Sequence, residues 1–115
     1  MMKLQLGAEK ILVANKGIDF RKSLNGLCAL IAEEYGESPT EGLYIFYNKN
    51  HDRIKIVGYH NNGFVLIYKR LEEGKFAVDL TGEKIKINRQ QLEWLMLGVD
   101  WKILSKKVIK YTNYS

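Results

Sequence analysis

The clearest pattern in the chain is the alternation over residues 53–71, where two β-rich runs flank Asn62-Gly63. Alternation of period two marks half-buried strands, and Asn-Gly supplies the positive φ angles of a type I′ hairpin turn. A turn there pairs Tyr59 with Leu66, Val57 with Tyr68 and Lys55 with Arg70. It leaves an aliphatic face built from Ile54, Ile56, Ile67 and Leu71, and a mixed face carrying Tyr59, Tyr68, Arg53, Lys55 and Arg70. Lys69 falls on the aliphatic face, where it either reaches past the rim or pairs with a carboxylate such as Asp19.

Upstream, residues 9–14 read as a short strand closed by Asn15-Lys16-Gly17. Phe20, Leu24, Leu27, Ile31 and Tyr35 recur at helical spacing, so a helix is expected over about 20–35, with Asp19 as N-cap and Gly36 as terminator. Gly26 inside that helix suggests close approach by another element, and Arg21 and Lys22 would sit unfavourably in its first turn. Leu43–Tyr47 has strong β-propensity, and a return through 48–52 sets Tyr47 opposite Arg53, Phe46 opposite Ile54 and Tyr44 opposite Ile56. In that register Phe46 and Tyr44 join the aliphatic face, while Leu43, Ile45 and Tyr47 join the mixed one. The first helix then packs most simply on the aliphatic side.

Downstream, short strands are expected at 75–78 and 84–87, separated by a turn at Thr81-Gly82. Asn88 followed by Gln91 forms a capping-box signature for a second helix over about 89–98, ended by Gly98. The predicted fold is α+β: one domain over residues 4–101, with a twisted antiparallel sheet of about five strands and two main helices. Residues 102–115 are expected to form a loosely docked or frayed tail.

Charge changes this picture little for the body and much for the tail. Of 18 Lys+Arg against 13 Asp+Glu, four lysines (102, 106, 107 and 110) lie in the last fourteen residues, which contain no acid; the remainder balances to +1. A basic tail could contact phosphate, but basic termini are more often solubilising features. The single cysteine, Cys28, fits a reducing compartment, and no apolar run is long enough to span a membrane, so a cytoplasmic location is expected.

Signatures of nucleotide loops, zinc proteases, redox dithiols and nucleophile elbows are absent from the sequence. His51, His60 and Cys28 show no ligand spacing, so neither metal nor other cofactor is expected. Asp19, Asp52, Asp79 and Asp100 could build a two-metal nuclease site, but each has a plainer place in a cap or turn. The mixed face is the stronger signal: cations there can neutralise phosphates and rings can stack on bases. The same pattern fits an ordinary solvated strand face, or a protein interface favouring Tyr and Arg.

The ordered set Asp19-Phe20-Arg21-Lys22, Gly26-Leu27, Pro39, Gly42, Phe46, Asp52-Arg53, Lys55, Gly63, Lys69-Arg70-Leu71, Gly74-Lys75-Phe76, Gln91-Leu92 and Gly98-Val99-Asp100-Trp101 resembles a known family. It is similar to the small accessory proteins, called TnpB or Orf2, of the insertion sequence 66 family of bacterial transposable elements. The resemblance covers about residues 4–101. It implies a non-catalytic accessory factor for transposition in the bacterial cytoplasm, with DNA, the separately encoded transposase, or both as partners. It also implies that the carboxylates that cut DNA belong to the transposase, and that no small-molecule substrate is bound. The alternatives are an adaptor that binds transposase without touching DNA and, further off, a metal-dependent nuclease. The family offers no catalytic residues to carry over. Its polar motif positions here are Asp19, Arg21, Lys22, Arg53, Lys55, Lys69 and Arg70. Members often carry tryptophan after the Arg-x-Lys strand and Trp-Pro after the Gly-x-Phe turn, where this chain has Gly58-Tyr59 and Ala77-Val78-Asp79. Candidate nucleic-acid or partner contacts are therefore Arg21, Lys22, Arg53, Lys55, Tyr59, Tyr68, Lys69 and Arg70.

Overall fold

In a computed structural model describing residues 10–77 and 84–98, five strands form one sheet flanked by a helix on each face. The elements are β1 (Ile11–Val13), α1 (Leu24–Glu33), β2 (Leu43–Tyr47), β3 (Arg53–His60), β4 (Gly63–Arg70), β5 (Ile85–Ile87) and α2 (Arg89–Met96). The strand order is β4-β3-β2-β1-β5. The α+β class, the five strands and the two helices agree with the sequence reading. One pairing departs from it: β1 runs parallel to β2, so the sheet is mixed rather than wholly antiparallel. Parallel neighbours need a long crossover, and the segment containing α1 provides it. The expected strand at 75–78 is irregular over 75–77, where buried Phe76 donates its N–H to the carbonyl of His51 at 2.6 Å. Residue 78, the turn at Thr81-Gly82, Asp79, Asp100 and the tail lie outside the described residues.

The hairpin closes two residues from the expected register. His60 pairs with Gly63, Tyr59 with Phe64, Val57 with Leu66 and Lys55 with Tyr68. The loop is Asn61-Asn62, with Asn61 at φ 54°, and Gly63 is the first residue of β4. Asparagine tolerates that left-handed conformation, and a slip of two leaves every side chain on its expected face. The alternation of period two therefore cannot distinguish the two registers. At the far end of the hairpin, Leu71 donates its N–H to Asp52 at 2.8 Å.

The β2–β3 register slips by one, which has the opposite consequence. Tyr44 pairs with Val57, Phe46 with Lys55 and Tyr47 with Ile54. Tyr44 and Phe46 thus share the mixed face, and Leu43, Ile45 and Tyr47 share the aliphatic one, the reverse of the expectation. All five residues of β2 are buried, so the strand's own pattern favours neither side. The connecting turn decides: the Asn48 side-chain oxygen accepts from the N–H groups of Asp52 (3.0 Å) and Arg53 (2.9 Å), and His51 takes φ 59°.

Helix placement follows. Because Tyr44 and Phe46 make the inner half of the mixed face apolar, α1 covers that face and not the aliphatic one. Tyr35, just past α1, packs its ring 6.4 Å from Phe46, and Leu27 and Ile31 are fully buried. The helix starts later than expected. Ser23, not Asp19, is the N-cap, accepting from the Gly26 N–H at 3.4 Å. Arg21 and Lys22 therefore precede the helix, and the expected clash with its dipole does not arise. The expected close approach at Gly26 is not seen among the described residues: the nearest atoms to a methyl group there belong to Lys22 and Ser23, at 3.7–3.8 Å.

On the aliphatic face lies α2, with Leu95 fully buried. Its capping box is complete: Asn88 Oδ1 accepts from the Gln91 N–H and Gln91 Oε1 from the Asn88 N–H, both at 2.8 Å. Gly98 follows at φ 75°.

Candidate interaction surface

Coverage of the mixed face stops at β3, because β4 is the outermost strand of the sheet. Its residues alternate half-buried and exposed along its whole length. On the open side stand Phe64 (38% exposed), Leu66 (38%) and Tyr68 (50%), followed by Arg70. Tyr59 lies beside Phe64 edge-to-face, ring centroids 5.1 Å apart, and Phe20 of the loop before α1 meets Tyr68 at 5.9 Å. Such paired rings favour a held geometry over free rotation. The result is a strip of apolar and aromatic surface bordered by Arg53, Arg70 and the 19–22 loop.

Lys55 is turned into the structure. Its ammonium donates to the carbonyls of Phe20 (2.7 Å) and Lys22 (3.0 Å) and lies 4.8 Å from the centre of the Phe20 ring. It pins the lead-in of α1 to the sheet. Lys69 is also directed inward, on the other face: its ammonium donates to the carbonyl of Met96 at the end of α2, where a cation suits the helix dipole. Asp19 is not its partner. Asp19 instead forms a two-point ion pair with Arg21, shortest contact 2.7 Å, and accepts from the Arg21 N–H at 3.0 Å. Hydrogen bonding to Arg21 holds the Asp19 carboxyl well below the usual carboxylate range and raises the guanidinium. Arg70 donates to Glu72 at 2.9 and 3.2 Å, which raises the Arg70 pKa. Lys22 and Arg53 are exposed, and among the described residues no carboxylate forms an ion pair with either.

The eight residues expected to act together are therefore split. Tyr59, Tyr68, Arg53 and Arg70 share one open surface. Arg21 and Lys22 border it, Lys55 is beneath it, and Lys69 lies on the opposite face. Sequence reasoning missed Phe64 as part of the strip. The signal available was its alternation with Leu66 and Tyr68 on a strand that, among the described residues, lies at the edge of the sheet.

A second polar cluster also went unread. Glu37 accepts from Lys10 (2.8 Å) and Lys84 (3.2 Å), while Lys84 also donates to the Tyr35 carbonyl at 2.7 Å. The hydrogen bond from Lys10, then that from Lys84, lowers the Glu37 pKa. A recess beside it, lined by Leu12, Ala14, Tyr35, Tyr44, Phe46 and Lys84, encloses about 10 Å³, the room of one water and too little for an organic substrate. Asp52 is occupied by the Asn48 amide at 2.6 Å, and burial followed by Lys75 lowers the His51 pKa. Among the described residues no three His, Cys, Asp or Glu side chains converge as a metal site would require, and no helix is long and apolar enough to cross a membrane.

The family model described as "IS66 Orf2 like protein" matches residues 9–106, nearly the whole chain. The chain belongs to the IS66 Orf2-like family. Membership gives it a transposition-associated accessory role. Among proteins similar to this chain are two uncharacterized proteins of Sinorhizobium fredii. One, y4jC, is 30% identical over 103 residues, covering 88% of each chain; the other, y4hO, is 27% identical over 95 residues, covering 81% of this chain and 83% of its own. No solved structure matches the chain significantly. The resemblance drawn from the Asp19-Phe20-Arg21-Lys22 and Lys69-Arg70-Leu71 motifs thus names the same family.

Proposed function

We propose that this IS66 Orf2-like protein is a non-catalytic adaptor that binds the transposase of its element through the outer half of the hairpin face. The observation that carries this reading is the strip of Phe64, Leu66 and Tyr68, exposed in a row on one face of β4. Exposed apolar and aromatic side chains rimmed by arginine are the composition of a protein interface core. The neighbouring cations support the same reading. Lys55 and Lys69 are spent on backbone carbonyls, and Arg21 and Arg70 on carboxylates. Lys55 and Lys69 act as structural anchors.

The test is co-purification with the transposase of the same element after nuclease treatment. Association is expected to survive the nuclease and to fall at least tenfold in a Phe64→Ala/Tyr68→Ala variant. Loss on nuclease treatment, or no effect of the double variant, would overturn the adaptor reading.

DNA contact is the second reading, favoured by the exposed ammonium of Lys22 and guanidinium of Arg53. Two phosphate contacts would give a log–log salt slope of roughly −1.8, against about −3.6 for four. A gel shift with element ends at two salt concentrations measures this. Retardation lost in Lys22→Glu/Arg53→Glu supports it, and no retardation at low salt removes it.

A further inference from the structure

The outer edge of β4 has a property separate from the face it carries. The Leu71 N–H donates inward to Asp52, and residues 52 and 71 continue the β3–β4 register. Hydrogen-bonded pairs alternate along an antiparallel ladder, so odd-numbered residues 63–71 direct their backbone groups at β3. Phe64, Leu66, Tyr68 and Arg70 therefore direct theirs away from the sheet. Natural edges are normally blunted by short strands, proline, bulges or charged side chains, and the one outward-facing charge here, Arg70, stands at the last position of the strand. This edge is eight residues long, unbulged against β3 and without proline. Its lysine, Lys69, is drawn to the Met96 carbonyl on the far side of the sheet from the strip. Among the described residues nothing pairs with it.

We infer that β4 pairs antiparallel with β4 of a second copy of this chain, in the register that sets Ile67 opposite Ile67. Two-fold symmetry perpendicular to the sheet requires paired residue numbers to have an even sum, so that both side chains point to the same face. Among those registers, this one matches all four outward-facing residues with one another: Phe64 with Arg70, and Leu66 with Tyr68, each pair in both directions. It lays each Arg70 beside a phenyl ring, a favourable cation–π partnership, and puts Lys69 opposite Val65. Shifting two residues toward the C-terminus sets Lys69 opposite Lys69, and three sets Arg70 opposite Arg70. The second copy is thus complementary in backbone pattern, and this register places no like charges opposite each other. Pairing makes a ten-stranded sheet and brings two apolar strips side by side on one face.

The experiment uses the full chain alone, without transposase or DNA. Sedimentation from micromolar to several hundred micromolar is expected to show a monomer–dimer equilibrium. Leu66→Pro removes one outward N–H at a position an edge strand tolerates, and is expected to yield a folded monomer by circular dichroism. If Leu66→Pro fails to fold, disulfide trapping decides. In a Cys28→Ser background, Ile67→Cys is expected to cross-link on oxidation, since facing residues in a non-hydrogen-bonded pair are about 4.5 Å apart at Cα. Val65→Cys, displaced from its mate, is expected not to. A monomer at all concentrations, a folded Leu66→Pro that still dimerises, or trapping through Val65 and not Ile67 would overturn the inference. So would a monomer whose Phe64, Leu66 and Tyr68 amides resist exchange regardless of concentration, because the chain would then be covering its own edge.

Discussion

Replacing Lys55 by methionine separates an anchor from a binding residue. Methionine keeps the unbranched stem, so the loss is confined to the ammonium, its bonds to the Phe20 and Lys22 carbonyls, and its position over the Phe20 ring. A hydrogen bond to a charged group is worth about 1.5–3 kcal/mol when well buried. Here Lys55 is half-buried and water can replace part of it, so about 1 kcal/mol for each bond is appropriate. The ring contact adds roughly 0.5 kcal/mol. The expected destabilisation is about 2.5 kcal/mol, lowering the melting temperature by roughly 10 °C in a domain near 100 residues. Urea unfolding followed by circular dichroism measures it, and a cycle with Phe20→Leu isolates the ring contact. A loss under about 0.5 kcal/mol, together with weakened salt-dependent DNA affinity, would refute the anchoring argument and return Lys55 to the phosphate-binding set.

Other substitutions test the packing more directly. Gly26→Ala meets only ordinary contacts and is expected to stabilise by about 0.5 kcal/mol through helix propensity. Gly42→Ala would bring its methyl within 3.0 Å of the Lys10 carbonyl, which already accepts from Leu43; about 1–3 kcal/mol should be lost in denaturant titration. Asn88→Ala removes half of the α2 capping box and should cost about 1 kcal/mol. Glu37 has a folded-state pKa below its ordinary value near 4.5, so its contribution is complete above that pH and is lost as pH falls through the folded value. The melting-temperature gap between wild type and Glu37→Gln should therefore close below about pH 4.5; a gap that widens with acid would contradict the cluster.

What the sequence disclosed depended on whether a local pattern had one solution. Asn88 and Gln91 specify a capping box because both partners lie within one turn, and the structure forms it. The alternation of residues 53–71 assigned faces correctly even with the loop misplaced, because a slip of two is invisible to a pattern of period two. Leu43–Tyr47 carried no such information, being buried on both sides, and its register came from Asn48 and His51 in the turn. Asp19 and Ser23 are equally competent caps, and the choice rests on Arg21 engaging the aspartate. The destinations of Lys55 and Lys69 are carbonyls 33 to 35 and 27 residues away, which no local pattern encodes. The parallel pairing of β1 with β2 was hidden for the same reason.

Strand order also sets an assembly sequence. β2, β3 and β4 are consecutive in the chain and adjacent in the sheet, so residues 43–70 can zip together through short loop closures. β1 and β5 meet only when Ile11 finds Ile87, seventy-six positions along the chain. Closure entropy makes that contact a late one. The three-strand meander bearing the exposed strip can therefore mature before the two ends of the domain are joined. Slowing that final step, by weakening β5 for instance, should delay completion of the domain while leaving the exposed strip of β4 already in place.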